Sequence, residues 1–340
     1  MPIKYGYSIY FILILNYFNL FGWQCIEYQY PVAGIDEESI FVIHQKGLSD
    51  LELWRYFWQD NRYEKCLDWH FIPSGLKILP NREGFSFIDS GRLRIKKFLK
   101  RSPCSIEFEQ PISSFGEINW VNQYECYFSA RQSDYTAIFY GNVQNGEIKC
   151  LHQAKKAACL SPRMVSNQLF YIERNDLDRS CKIYTVDLNG SFQKPELMID
   201  CNYQQVLHLQ MISKECGFYV EHMPYINEEL EEIHFNVYKL ELSDKWLNTR
   251  LFQFVIPGQY LLGENRLYES IIPFLPRVEK TALYFADIKR NQAKEYDSSL
   301  KKCDLISGKI FDISLQDSGN LLFAPLIWQE KIFYGKILYH

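Results

Sequence analysis

The sequence predicts an all-β fold, a six- or seven-bladed β-propeller of four-stranded antiparallel blades. The first observation behind this prediction is a short, aromatic-rich run that recurs seven times. The third residues of the runs, used here as anchors, are Val42, Phe87, Phe128, Tyr171, Tyr219, Phe285 and Tyr334. The intervals between anchors are 45, 41, 43, 48, 66 and 49 residues. A period in the forties built from short strands is typical of propeller blades.

The second observation is a hairpin signal after the anchor strand. In the fourth unit a strand-like run at 182–188 leads into Asn189-Gly190, and the same kind of turn is found at Asn145-Gly146 and Ser307-Gly308. Asn-Gly suits a type I′ turn, because both central residues need a positive φ. Each unit is therefore expected to continue through a second and a third strand after its anchor.

The third observation is a shared position before the anchors. Pro162, Pro276 and Pro325 each lie nine residues before an anchor, and Asn119 and Gln210 occupy the same slot in two other units. This offset indicates one more strand ahead of each anchor, which makes four strands per unit. Four antiparallel strands repeated around a ring form a propeller.

Closure of the ring is expected from the chain ends. Residues 26–30 are strand-like and precede the first anchor, whereas the last unit ends at His340, after only its second strand. We expect the N-terminal strand to complete the last blade and so remove an open sheet edge. The 66-residue interval and the short last unit leave both six and seven blades open.

One unit resembles a known family. Residues 161–162, 169–176 and 182–190 follow the order of the WD40-like (PD40) repeat of TolB-type propellers: a Ser-Pro turn, a hydrophobic strand, a polar loop, an Ile-Tyr-x-x-Asp strand and a Gly turn. Here Arg163-Met164 replaces the Asp-Gly of the family pattern, and the turn is two residues longer. The resemblance implies a propeller scaffold and no particular function. TolB-type proteins also carry an N-terminal α/β domain, for which the residues before the first predicted blade leave no room.

The N-terminal segment differs from the rest of the chain. Lys4 is the only charged residue before Glu27, and residues 9–23 are almost wholly apolar. A charged start followed by a short apolar core indicates a signal peptide or an N-terminal anchor at residues 1–24, ahead of a single propeller domain at 25–340. The protein is then exported, to the periplasm, the surface or the medium. The alternative is an apolar first strand of the fold.

Charge and composition limit the partners. The formal net charge of −4 favours neither nucleic acid nor an anionic membrane, so membrane contact is expected only through residues 1–24. A monomer is expected. Aromatic residues make up 16% of the chain, which suits stacked sheets because aromatic side chains pack well on pleated surfaces.

The ten cysteines offer one disulfide candidate. Around the Asn189-Gly190 turn, Cys181 comes to oppose a residue close to Cys201, so an exported protein could pair these two thiols. No Cys-x-x-Cys occurs, so the sequence favours neither a zinc ribbon nor a thioredoxin-type motif.

The sequence contains few motifs typical of catalysis or of metal or ligand binding. It has no nucleophile elbow, phosphate loop or His-Glu metal motif, and we predict no catalytic residue, metal or cofactor. Arg163 and Arg277 follow the proline slot at the same register and are the candidate ligand-binding residues, because two arginines converging on a channel would favour an anionic ligand. The alternative is that each arginine braces a neighbouring carboxylate or carbonyl group.

These observations favour an exported, non-catalytic propeller that binds a protein or peptide partner, or another ligand. The predicted first-strand segments, at 69–72, 118–121, 158–160, 207–210, 272–275 and 323–326, contain almost no acidic residues, which argues against an enzyme. Trp54, Phe57, Trp58 and Tyr63 are candidate aromatic anchors for a partner, unless this stretch is a strand packed on both faces. The alternative function is a propeller hydrolase or lyase that acts on an anionic or carbohydrate substrate in the central channel.

Overall fold

The computed structural model describes most of the predicted blades. The described residues are 15–16, 24–28, 32–35, 39–45, 51–57, 62–69, 74–80, 83–89, 92–97, 104–105, 114–132, 135–189, 194–201, 205–222, 232–257, 275–290, 292, 296–313, 321–322, 326–328 and 331–337. The chain divides into two compact units, Met1–Ile72 with Leu262–His340, and Pro73–Leu261.

The first unit begins with six strands. They are β1 (Leu15–Asn16), β2 (Gln24–Tyr28), β3 (Val32–Ile35), β4 (Ser39–Gln45), β5 (Leu51–Phe57) and β6 (Arg62–Trp69). Strands β3 to β6 form a four-stranded antiparallel sheet in chain order.

The second unit contains four consecutive four-stranded antiparallel sheets. The first holds β7 (Ser74–Ile78), β8 (Gly84–Asp89), β9 (Arg92–Lys97) and β10 (Cys104–Ser105), and the second holds β11 (Ser114–Trp120), β12 (Glu125–Gln132), β13 (Tyr135–Asn142) and β14 (Glu147–Lys155). The third holds β15 (Ala157–Val165), β16 (Gln168–Asn175), β17 (Cys181–Asp187) and β18 (Glu196–Asp200), and the fourth holds β19 (Gln205–Met211), β20 (Cys216–His222), β21 (Glu232–Leu242) and β22 (Trp246–Pro257).

The first unit resumes with seven strands. They are β23 (Arg277–Glu279), β24 (Ala282–Arg290), β25 (Tyr296–Asp304), β26 (Ile310–Ile313), β27 (Leu321–Leu322), β28 (Leu326–Trp328) and β29 (Lys331–Ile337). Strands β23 to β26 form another antiparallel four-stranded sheet, whereas β1, β2, β27, β28 and β29 form a mixed five-stranded sheet.

The fold is an all-β propeller of four-stranded antiparallel blades, but the predicted number of blades is wrong. Within the described residues, five sheets have four strands of three residues or more, and in a sixth the outer strand β10 is reduced to two residues. The seventh anchor lies in the mixed sheet, where β2 pairs with β29 in parallel. A parallel pair cannot complete a four-stranded antiparallel blade, and closure of the ring stays a prediction.

The anchors mark the second strand of each four-stranded sheet, as predicted. In three blades the anchor ring stacks on the ring directly opposite in the third strand. The pairs are Phe128 with Phe139, Tyr171 with Tyr184 and Tyr219 with Tyr238, with centroids 5.5, 5.7 and 5.0 Å apart. Cross-strand stacking explains why an aromatic residue recurs at this position.

Neighbouring sheets of the second unit pack through apolar clusters. Ile138 and Ala154 of the second sheet meet Cys159, Leu169 and Tyr171 of the third. On its other face the third sheet packs Phe170, Ile172 and Cys181 against Val206, Leu209 and Tyr219 of the fourth. The third sheet is therefore apolar on both faces, which holds it between its two neighbours.

The predicted signal peptide or anchor lies mostly outside the described residues. Leu15 and Asn16 pair with Ile26 and Cys25 in the β1–β2 ladder. Among the described residues there is no helix long and apolar enough to cross a membrane. The assignments of residues 1–24 and 25–340 stay predictions.

Candidate functional site

The first strands of the second unit share a bulge. In β7, β11, β15 and β19 the register with the second strand shifts, between Ser74 and Lys77, Phe115 and Ile118, Leu160 and Arg163, and Val206 and His208. A bulge turns side chains away from the regular alternation of a strand. In β15 the bulge includes Ser161, whose φ is +47°. The polar side chains described next lie in these bulges or directly after them.

Glu117, in the bulge of β11, is the acidic centre of the site. Its Oε1 accepts a hydrogen bond from Nη2 of Arg163 at 2.7 Å, and its Oε2 accepts one from Oγ of Ser161 at 2.9 Å. Both ionic side chains are buried, with 8% of Glu117 and 9% of Arg163 exposed. Two adjacent blades are thus joined by a buried, charge-assisted contact, the stronger kind of hydrogen bond.

Two more basic side chains surround the carboxylate. Nζ of Lys77, after the bulge of β7, lies 3.9 Å from Oε1 of Glu117, and the Lys77 side chain is 43% exposed. His208, after the bulge of β19, is buried and acts on Glu117 electrostatically. We call Lys77, Glu117, Ser161, Arg163 and His208 the first-strand cluster. It draws one or more residues from four consecutive sheets.

The cluster keeps Glu117 ionised. Burial alone would raise the pKa of Glu117, but the charges of Arg163, Lys77 and His208, with the Arg163 hydrogen bond, outweigh it and hold the pKa well below its usual range. A carboxylate with so low a pKa is a poor proton donor and a weak base near neutral pH. This group is therefore suited to fixing cations and hydroxyl groups in place.

A glycine makes room for this arrangement. A Cβ atom on Gly116 would lie 2.3 Å from Oγ of Ser129 and 3.3 Å from its backbone oxygen. Real Cβ atoms do not approach that closely, so a side chain here would require the Ser129 hydroxyl or strand β12 to move. Gly116 thus allows the bulge that carries Glu117 to lie against the neighbouring strand.

The structure places the two predicted arginines differently. Arg163 contacts the Glu117 carboxylate and, through Nη1, the carbonyl oxygen of Pro162 at 3.1 Å, so its observed contacts are those of the bracing alternative. Arg277 begins β23 in the other compact unit, where it pairs with Tyr284. Ligand binding at these two arginines, and their convergence, stay predictions.

The predicted cysteine pair is adjacent in space. The backbone N–H of Cys201 donates to the carbonyl oxygen of Cys181 at 3.0 Å, and both thiols are buried and free. The Sγ of Cys181 accepts a hydrogen bond from the amide of Val206 at 3.4 Å. Backbone neighbours on paired strands lie within the Cα separation that a disulfide requires, so the disulfide stays a prediction.

The aromatic run at the first blade belongs to a packed strand where it is described. Phe57 is 8% exposed, and the guanidinium groups of Arg55 and Arg62 lie 4.4 and 4.0 Å from its ring centroid. Tyr63 packs on Tyr56 at 4.6 Å. Phe57 therefore follows the alternative of a packed strand rather than that of an exposed anchor. Trp58 lies outside the described residues.

Sequence reasoning missed Glu117 by one position. The predicted first-strand segment of that blade began at Ile118, whereas β11 runs from Ser114 to Trp120. Lys77 was missed for a similar reason, since the segment chosen in its blade, 69–72, precedes β7. A glycine inside a strand signals a bulge, and Gly116 next to Glu117 could have drawn attention to this carboxylate.

Comparisons with known proteins agree on the fold. No protein-family model matches the chain, and no curated protein matches its sequence. The structure is similar to tricorn protease (TM-score 0.55, 10% identity, covering 84% of this chain and 30% of that one). It is also similar to an oligogalacturonate lyase from Vibrio parahaemolyticus (0.54, 10%, 81% and 74%) and to a protein assigned as TolB from Agrobacterium tumefaciens (0.50, 8%, 80% and 91%). Identities this low show the propeller fold alone.

Proposed function

We propose that this protein is a non-catalytic binding module on a TolB-type propeller, with a protein or peptide partner that presents carboxylate groups. The observation that carries the proposal is the first-strand cluster, in which the one carboxylate, Glu117, is already neutralised by Arg163. Lys77, whose Nζ lies 3.9 Å from Oε1 of Glu117, brings a second positive charge to the same carboxylate. Lys77 is half-exposed and can meet an acidic partner, because a flexible ammonium group on four carbons reaches outward.

We include ring closure, PD40-type repeats and export in the same proposal. The pairing of β2 with β29 joins an N-terminal strand to a C-terminal strand, which supports a closed ring even though their sheet is not a four-stranded antiparallel blade. The repeat order of residues 161–190, which include strands β16 and β17, supports PD40-type repeats. The apolar segment at residues 1–24 supports export. Each of these features suits a binding module that works outside the cytoplasm.

The second candidate is a hydrolase or lyase that acts on an anionic or carbohydrate substrate. The fold shared with an oligogalacturonate lyase favours it, and the basic residues of the first-strand cluster could neutralise an anionic substrate. The low pKa of Glu117 opposes it, because a general acid needs a pKa near the working pH. Binding and turnover must therefore be measured on the same preparation.

The test uses the full chain and two probes. A fluorescent peptide of glutamate and glycine is titrated alongside its glutamine counterpart, and oligogalacturonate is incubated with the protein while unsaturated products are followed by ultraviolet absorbance. We expect salt-sensitive binding of the acidic peptide only, weakened by Lys77→Gln and unchanged by Lys97→Gln. Lys97 is a matched control because it lies on β9 beside Glu83, outside the cluster. Product formation would establish the enzyme instead, and equal affinity for both peptides would refute the acidic preference.

A further inference from the structure

A buried acid and a buried amide face each other in the fourth blade of the second unit. Glu221 on β20 and Asn236 on β21 are directly opposite in the ladder. They are 1% and 5% exposed. Among the residues that the structure describes, Oε2 of Glu221 and Oδ1 of Asn236 have no hydrogen-bond partner. Two buried acceptors without a donor lower the free energy of unfolding, because each gives up its hydrogen bonds to water and gains none in exchange.

Glu221 and Asn236 have polar neighbours on several strands. Opposite Asn236 on β22 lies Gln253, whose Nε2 is 2.8 Å from Nδ1 of His234. On β21 the Tyr238 hydroxyl hydrogen-bonds to the carboxylate, and Arg250 on β22 acts on it electrostatically. The thiols of Cys181 on β17 and Cys201 after β18 interact with it from the neighbouring sheet. The hydroxyl of Tyr219, on the same strand as Glu221, also interacts with it, and Arg174 on β16 acts on Cys181. On β19 the opposing residue is Val206, which is apolar. Burial outweighs the Tyr238 bond and the Arg250 charge, so the pKa of Glu221 is raised.

A proton satisfies this pair with the Asn236 amide in its observed orientation. A metal ion such as Ca²⁺ takes six to eight oxygen ligands, and no group of three His, Cys, Asp or Glu side chains among the described residues is placed to hold one. A single proton on Oε2 converts one acceptor into a donor. Oδ1 of Asn236 can then accept, because directly opposite residues have Cβ atoms about 5 Å apart.

We propose that Glu221 is held as a neutral carboxylic acid that donates from Oε2 to Oδ1 of Asn236, which makes a proton-dependent latch between β20 and β21. The latch closes when Glu221 binds its proton and opens when the proton leaves. It lies at the face where this sheet packs against the third sheet of the unit, beside Cys181 and Cys201, so its state affects the packing of two adjacent blades.

The sign of the pH effect follows from proton binding. With a raised pKa, folded Glu221 keeps its proton at pH values where the unfolded chain has lost it. The latch therefore contributes fully below the ordinary glutamate pKa of 4.5 and is lost as the pH rises through the folded value. Over that window the folded-to-unfolded ratio falls by up to about tenfold per pH unit, since one proton is linked to folding.

The test compares unfolding of the full chain under reducing conditions between about pH 5 and pH 8. Glu221→Gln keeps the shape and supplies a permanent N–H donor, so we expect it to flatten the pH dependence and to stabilise the protein at the alkaline end. The matched control is Glu196→Gln, at an exposed glutamate on β18. We expect it to follow the wild type. An infrared band of a protonated carboxyl, absent from Glu221→Gln, would identify the proton directly.

Three results would overturn the latch. An unchanged pH dependence in Glu221→Gln would show that the carboxylate does not titrate in this range. The absence of the infrared band would show that Glu221 is ionised, with the Asn236 amide turned to donate from Nδ2. Stabilisation of the wild type by Ca²⁺ that a chelator reverses and Glu221→Gln abolishes would replace the proton with a cation.

Discussion

Asn119 on β11 donates a hydrogen bond from Nδ2 to the carbonyl oxygen of Pro162 on β15, over 2.8 Å. Each residue lies nine positions before the anchor of its own blade, Phe128 and Tyr171 respectively. The same Pro162 oxygen accepts from Nη1 of Arg163 at 3.1 Å. The repeated slot thus joins adjacent blades directly, at the bulge where β15 departs from its regular pairing.

Asn119→Ala should weaken this junction. Removing the amide leaves the Pro162 carbonyl with one donor fewer, which should lower the free energy of unfolding by about 1–2 kcal/mol. Asn119→Asp should cost more, because a carboxylate oxygen would then face the carbonyl oxygen. Denaturant titration gives both values. Gln144→Ala, at an exposed turn residue, is the control, and an equal effect of the control and Asn119→Ala would contradict the proposed contact.

Glu117 and Arg163 should be strongly coupled. Glu117→Gln or Arg163→Met alone leaves a buried charge without its partner, so each should cost about 3–5 kcal/mol of unfolding free energy. The double variant should cost clearly less than the sum, because it removes both charges. A double-mutant cycle by equilibrium unfolding measures the difference. Additivity within about 0.5 kcal/mol would mean that the pair does not interact energetically.

Acid should remove the stabilising effect of Glu117. Its folded pKa is lowered, so its contribution is present above the ordinary value of 4.5 and is lost as the pH falls below that value toward the folded pKa. The difference in unfolding free energy between the wild type and Glu117→Gln should be largest near neutral pH and should shrink under acid. This direction is opposite to that expected for Glu221. A difference that grows on acidification would be inconsistent with the ion pair.

Gly116→Ala should disturb the bulge of β11. The new methyl group would meet Oγ of Ser129 at 2.3 Å, and overpacking of this kind costs about 1–3 kcal/mol. Adding Ser129→Ala should restore part of the stability, because it removes the atom that clashes. Thermal unfolding of the two single variants and the double variant tests this. If Ser129→Ala gives no rescue, the clash is not the cause of the loss.

Oxidised protein should contain a bond between Cys181 and Cys201. Peptide mapping without reductant should recover the linked peptides after export or mild oxidation, and Cys201→Ser should abolish them. The linked form should unfold at a higher denaturant concentration than the reduced form, since a cross-link constrains the unfolded chain. Recovery of both thiols alkylated from the oxidised protein would rule out this pairing.

The positions of the second strands were predictable because their signal is local. A run such as 169–172 carries its own hydrophobic pattern, its turn and its distance to the next run, and these depend only on near neighbours in the sequence. The stacked pair of Tyr171 and Tyr184 follows from the same hairpin register. The first strands were less predictable, since a bulge inserts residues that no period reveals, and Glu117 lies in such an insertion.

The sequence alone determined that the chain forms four-stranded antiparallel blades, because alternation, turn chemistry and a repeat in the forties are properties of consecutive residues. Only the tertiary structure decided which polar groups meet. Glu117 and Arg163 are 46 residues apart, and their contact depends on how two bulged strands lie side by side. The charges around Glu117 lower its pKa, whereas burial raises the pKa of Glu221. Both shifts arise from contacts between strands and sheets rather than from the order of residues along the chain.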